Sequence, residues 1–265
     1  MIKKFLYGLI SLKKVRRRLL FHLKQNFFHE LVFSVPVKSG YRADLLETDS
    51  HDSFSEIFIQ LEYENFLPDI NFNKILDLGA NYGYFSLWIQ TINPDIKISS
   101  LMIESSKNCQ RSLNSLIEQK DLKDRYQYMI GAIANPSKKS IDFFDRPYMA
   151  SSIFKSDVQE ISTKVCITSA EEISDKLPPP YDLIKCDIEG SEWDFLTYYP
   201  EILRKTQYLL LEWHSWHTGG GGFPQIENKI TSLGFQIIKT SSPQKALGRD
   251  GEVGLFLAQN LNFQN

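Results

Sequence analysis

The sequence predicts an α/β protein with a doubly wound, largely parallel sheet. Three observations support this. From Asn73 onward, apolar runs of strand length alternate with helix-length segments. A glycine turn joins the first of those strands to the helix after it. Acids close several strands, and sheets of this kind bind ligands beyond their carboxyl edge. At 265 residues, 42% of them hydrophobic, the chain fits one large domain and an N-terminal addition.

The addition spans residues 1–50, and the domain residues 51–265. Residues 1–29 contain eight Lys or Arg and no Asp or Glu. Phe5, Leu9, Leu12, Val15, Leu19, Leu23 and Phe27 follow one another at helical spacing, which predicts a basic amphipathic helix. Its apolar run is far shorter than the ~20 residues of a spanning helix. No small-residue cleavage site follows, which disfavours a secretory signal. Such a helix suits peripheral contact with an anionic membrane face. It suits equally well packing on its own domain or on a second subunit.

Each later element has its own signature. KILDL and IKISSLMIE read as buried strands, and GYFSLWIQ and SKNCQRSLNSLIEQK as the helices between and after them. RYQYMIGAIA reads as a third strand, with SIDFF and TKVCITS as shorter β segments. Pro178–Pro180 stop the helix before them, because proline removes an N–H and clashes with the preceding turn. YDLIKCDIE is the fourth core strand and SEWDFLTYY its helix. QYLLLEWH is the fifth, followed by a Gly219–Gly222 loop that could overhang a site. A helix from Gln225 to Leu233 leads to FQIIKT and EVGLFLAQ, predicted to close the sheet as a terminal hairpin.

The run ILDLGANYGYFSL, Ile75 to Leu87, is the most informative stretch. Asp77 ends the strand, and Gly79 and Gly83 let a ligand approach the backbone at the start of a helix. A dinucleotide turn, G-x-G-x-x-G, needs glycine where this chain has Asn81 and Tyr84. Asp77 would repel phosphate but could hold an ammonium group. S-adenosylmethionine carries an ammonium group and no phosphate. Glu104, 21 residues after Gly83, ends the next strand, where an acid can accept ribose hydroxyls. S-adenosylmethionine is therefore expected over NAD. Small residues at Gly131 and Ala132, with Ile133, leave room for adenine, and Asn135 or backbone would meet its amine.

Outside residues 1–29 the chain holds 22 basic and 32 acidic residues, a poor surface for phosphate backbones. No nucleic acid partner is expected. Cys109, Cys166 and Cys186 are scattered, which suits a reducing, cytoplasmic setting.

From about Ser53 to Phe235 the chain resembles the FkbM-type methyltransferases. The likeness rests on SFSEIFIQLEYEN, ILDLGANYGYFSL, MIES, YDLIKCDIEGSEWDFL and LLLEWH, most specifically on Lys185 to Gly190. It implies a Rossmann-like, seven-stranded methyltransferase sheet behind an N-terminal helical extension. It also implies S-adenosylmethionine bound through Asp77, Gly79, Asn81, Gly83, Glu104, Ser105 and Ala132, with Tyr63 covering it. The implied acceptor is a hydroxyl of a sugar, glycan or glycosylated, polyketide-like metabolite.

Asp187 at the end of strand four, and Glu212 and His214 at the end of strand five, should converge as the catalytic set. His214 has the ordinary pKa nearest to that of a neutral-pH base. Asp187 could orient it, bind the hydroxyl or act as base itself. The same three could hold Mg²⁺. Glu192 and Asp194 read as helix-dipole acids, and Glu189 as that or a site residue. His217 sits in the loop, and Trp193, Trp213 and Trp216 are candidate apolar walls. Two rival functions stay open, an NAD-dependent oxidoreductase or epimerase and an inactive membrane-associated binding protein of the same fold.

Overall fold

The computed structural model describes residues 15–119, 121–144, 162–216, 219, 222–246 and 250–263. Helix α1 (15–26) leads to a hairpin of β1 (Phe33–Pro36) and β2 (Arg42–Leu45). Helix α2 (Ser50–Phe54) continues into a π-helix, Ser55–Gln60. There follow β3 (Lys74–Leu78), α3 (Tyr84–Ile92), β4 (Ser99–Glu104), α4 (Gln110–Ile117) and β5 (Tyr126–Ile130). A small pair, β6 (Ser140–Phe143) and β7 (Thr163–Cys166), precedes α5 (Ala170–Lys176), β8 (Tyr181–Cys186), α6 (Glu192–Tyr198), α7 (Pro200–Arg204) and β9 (Thr206–His214). The chain then forms α8 (Gly222–Ser232), β10 (Phe235–Thr240), β11 (Gln244–Lys245) and β12 (Glu252–Asn260).

The main sheet runs β10-β12-β9-β8-β3-β4-β5, with β11 beside β12. Strands β9, β8, β3, β4 and β5 are parallel neighbours. The predicted terminal hairpin is present as an antiparallel β10–β12 pair, but β12 inserts between β10 and β9. Burial explains the order. Leu255 to Ala258 are buried on both faces and need two strand neighbours. Beyond Phe235, β10 is mostly exposed and tolerates the edge.

Alternation along each strand divides the core in two. Ile75, Leu183, Leu210 and Leu257 face Phe85, Trp88 and Leu113 of α3 and α4. Leu76, Ile184, Leu211 and Phe256 face Ile173, Phe195, Ile202 and Ile230 of α5 to α8. Apolar strands of this sort are covered by helices on both sides, as the doubly wound prediction requires.

The N-terminal extension is less separate than its sequence suggests. Ala43 and Leu45 of β2 are buried in the first of those clusters, beside Phe54 and Tyr84. Its structure is not helical throughout, since β1 and β2 fall within residues 1–50. Phe21 of α1 packs at 5.8 Å from Phe54, while Val15 and Leu19 of the predicted apolar stripe point outward. Phe5, Leu9 and Leu12 lie outside the described residues.

Candidate active site

The carboxyl ends of β3, β4, β8 and β9 open into a cleft of about 960 Å³. That is ample for a nucleoside-sized molecule with a second, smaller one beside it. Its floor is organised by a residue that lies just beneath the lining. Lys185, in the middle of apolar β8, is buried, and its ammonium donates to the Gly79 carbonyl at 2.8 Å and to Asp187 Oδ2 at 3.3 Å. Asp77, its register partner on β3, lies 3.9 Å away. Burial opposes the lysine's charge, but Asp187, Asp77 and Glu212 outweigh it and raise the pKa.

Asp77 itself is set behind the cleft rather than in its lining. It is fully buried and accepts from Ser86 Oγ at 2.7 Å. Burial pushes its carboxyl up, and Lys185 and Ser86 pull it back. As placed, it is the lysine's counter-charge rather than a seat for a ligand's ammonium.

The two glycines serve packing. Gly79 has φ +71°, and a Cβ there would stand 1.6 Å from the Asp187 carbonyl oxygen. Gly83 has φ +77° and would crowd Met102, Leu116 and Leu113. Gly79 borders the cleft and Gly83 does not. Between them Asn81, with φ +50°, also borders it; asparagine tolerates this left-handed region.

Glu104 lines the cleft as expected. Its two oxygens accept the Asn81 and Ser106 amides at 2.7 and 2.8 Å. Burial pushes this carboxyl up, and those amides offset part of the shift. Ser105 and Ala132 are cleft residues too, as are Gly131 and Ile133. A Cβ on Gly131 would meet Thr168 Oγ1 at 2.1 Å. Asn135 is elsewhere, its amide donating to Asp194 at 3.1 Å and its side chain to Tyr198 at 3.0 Å.

Across the cleft, Asp187, Glu212 and His214 do converge, with one donor atom from each lying within 4.8 Å of the others. His214 is buried. Its Nδ1 is 2.9 Å from Glu192 Oε1, and its Nε2 is 3.7 Å from Glu189 and 3.8 Å from Glu212. Burial disfavours the imidazolium, yet Glu192, then Glu189 and Glu212, bring its pKa up to about 10. That is unfavourable for the base role its ordinary pKa suggested. Burial and Asp187 push the Glu212 carboxyl well up. Mg²⁺ is a poor fit here, because it favours an all-oxygen octahedron and the Lys185 ammonium already contacts Asp187.

Three further acids belong to the surroundings of this rim and were not identified as such from sequence. Glu192 is fully buried and holds His214 across 22 positions, besides standing in the first turn of α6. Glu56 and Glu62 line the cleft beside Tyr63. The π-helix and Leu61, at φ +57°, set their placement. π-Turns of this kind are frequent at functional sites. Burial, then Glu62 and Asp187, raise Glu56 to about 8. The available signal was a set of acids within an otherwise apolar run.

Of the three tryptophans, Trp216 lines the cleft, its ring 4.7 Å from that of His214. Trp213 is core, and Trp193 lies under Lys229 and Gly219. His217, Gly220 and Gly221 lie outside the described residues.

The FkbM methyltransferase domain pattern matches residues 77–237. The chain belongs to the FkbM methyltransferase family. It is an S-adenosylmethionine-dependent methyltransferase, which removes the NAD reading. Similar solved structures include methyltransferase FkbM from Methylobacillus flagellatus KT, 16% identical, covering 91% of this chain and 59% of that one at TM-score 0.47. Another is precorrin-6y C5,15-methyltransferase from Geobacter metallireducens GS-15, 9% identical, covering 76% and 86% at TM-score 0.44. A third is M. capricolum TrmK with S-adenosylhomocysteine, 10% identical, covering 78% and 70% at TM-score 0.41. No curated protein matches the chain.

Two outcomes follow for this FkbM methyltransferase. Gly79→Ala should destabilise it by about 2 kcal/mol or more, since both φ and the Asp187 carbonyl oppose a side chain. Denaturant unfolding reads this directly, and an unchanged midpoint would contradict it. Histidine NMR should find His214 still protonated at pH 8, and Glu192→Gln should lower its pKa. A folded pKa above the unfolded value of about 6.5 gives stability that is complete below that pH. It is lost as pH rises through about 10.

Proposed function

We propose that this methyltransferase acts on a hydroxyl oxygen of a sugar, a glycan or a glycosylated, polyketide-like metabolite. The observation that carries the reading is the rim itself, where Asp187, Glu189 and Glu212 line the same cleft as Trp216, whose ring lies against His214. Carboxylates accept hydrogen bonds from several hydroxyls of one ring, and an aromatic face covers the ring's C–H side. The same acids repel phosphate, which disfavours nucleic acid.

The cofactor supplies a methyl group activated on a sulfonium. Glu104 keeps lone pairs beyond its two amide bonds and would accept the ribose hydroxyls, with Ser105 beside it. Gly131, Ala132 and Ile133 would border the adenine. Gly79, Asn81 and Tyr63, with Glu56 and Glu62, would enclose the cationic end, the role first given to Asp77. Gly83 supports the turn from behind.

Asp187 is the proposed base, taking the acceptor's hydroxyl proton while Lys185 steadies its carboxylate at 3.3 Å. His214 balances Glu189, Glu192 and Glu212 and fixes the rim. Alignment supplies much of the acceleration, since positioned groups reach effective molarities of roughly 10⁵–10⁸ M. No helix of the described residues is long and apolar enough to cross a membrane. The cysteines suit the cytoplasm.

Calorimetry with S-adenosylhomocysteine tests the cofactor assignment. Glu104→Ala should weaken binding by roughly 1.5–3 kcal/mol, the loss of a charged acceptor. Wild type that binds no S-adenosylhomocysteine would refute it. Mass-shift screening of sugars and native extract then seeks the acceptor. On it, Asp187→Asn should lower turnover by about 10²–10⁴-fold with cofactor affinity nearly intact. Activity should survive chelation, and restoration only by Mg²⁺ would overturn the metal-free reading. A chain that binds cofactor yet modifies nothing would favour the inactive binding protein.

A further inference from the structure

Helix α1 meets the protein through one side. There Phe21 packs on Phe54, and the buried Lys24 ammonium donates to the backbone carbonyls of His29 and of Glu47, the latter at 2.7 Å. The other side faces out, with Val15 58% and Leu19 53% exposed. Just past the helix, Phe27, Phe28 and Val32 are exposed as well. At about 100° per residue, Val15 and Leu19 share a face flanked by Arg18 on one side and Arg16 on the other, and both arginines are exposed.

We infer that this face docks on an anionic lipid surface. A bilayer interface offers apolar depth to Val15, Leu19, Phe27 and Phe28 and negative headgroups to the arginines at the same time. Val15 and Leu19 share one helix face with arginines on both flanks, and Phe27 and Phe28 follow at its exit, a pairing of apolar and cationic groups that complements an anionic lipid interface. The structure adds what sequence spacing left open. Packing on the domain and exposure of the stripe occur together, because Phe21 and Lys24 anchor α1 by its opposite side.

The anchor also connects the surface to the cleft. Glu47, the residue Lys24 holds, lines the cleft with Thr48 and Asp49. Any consequence for the acceptor rests on the function proposed above, whereas the docking itself does not.

Vesicle flotation of the full chain tests it, with a cooperative thermal unfolding transition as the check that each variant is folded. We expect co-flotation with mixed phosphatidylserine–phosphatidylcholine vesicles at low salt. Binding should fall on pure phosphatidylcholine and as salt shortens the Debye length below about 10 Å. Arg16→Gln and Arg18→Gln should each weaken partition about fivefold, equivalent to about 1 kcal/mol per charge, and Leu19→Asp should weaken it too. Absence of co-flotation at low salt overturns the inference, as does equal flotation on neutral vesicles or by all three variants. A self-associating chain that loses its dimer in Leu19→Asp and never floats assigns the face to a second copy instead. Failure of cofactor binding with flotation intact would count against the functional reading alone.

Discussion

The buried ammonium of Lys185 is the contact on which the site depends. A lysine in the centre of a sheet is costly unless it is paired and hydrogen-bonded. This one reaches two carboxylates and a carbonyl from three places, namely Asp77 on β3, the Gly79 turn and Asp187 at the end of β8. It thereby fixes the spacing of the two central strands where they meet the cleft. The close approach that forbids a side chain at Gly79 belongs to the same junction, since the opposing atom is the carbonyl oxygen of Asp187.

Around that junction, charge is sorted by depth. At the floor Lys185 lies buried beneath the lining, and His214 is buried in the wall among Glu189, Glu192 and Glu212, while Glu56, Glu62 and Asp187 line the same cleft. Burial and mutual repulsion push carboxyls such as Glu56 and Glu212 toward their protonated forms. A cofactor bearing a sulfonium and an ammonium suits such a lining. Its positive charges would offset the mutual repulsion of these acids.

The strands were legible because residues buried on both faces leave unbroken apolar runs, as in KILDL and QYLLLEWH. The convergence of Asp187, Glu212 and His214 followed from placing two strands side by side. Side-chain direction was harder to read. Asp77 looks the same in sequence whether it points at a ligand or at Lys185, and only the register of β3 against β8 decides. Glu192 reads as a helix-start acid, and its hold on His214 spans two elements. Glu56 and Glu62 owe their placement to a π-turn that disrupts ordinary helical spacing. In α1 the apolar stripe was legible, but the face that packs was set by Phe21 and Lys24, a phenylalanine off the stripe and a charged residue.

The insertion of β12 between β9 and β10 also sets an order of assembly. Strands β3, β4 and β5, which carry the proposed cofactor half, are complete by residue 130 and pair with one another. Strand β9, which carries Glu212 and His214, keeps an open apolar edge until residues 252–260 arrive to lie against it. From the end of β9 at His214 to the start of β12 at Glu252 is about 40 residues, so at ribosomal rates of ~5–20 residues per second that edge waits for a few seconds. During that interval the nascent chain exposes a strand edge of the kind that chaperones shield and that aggregation exploits.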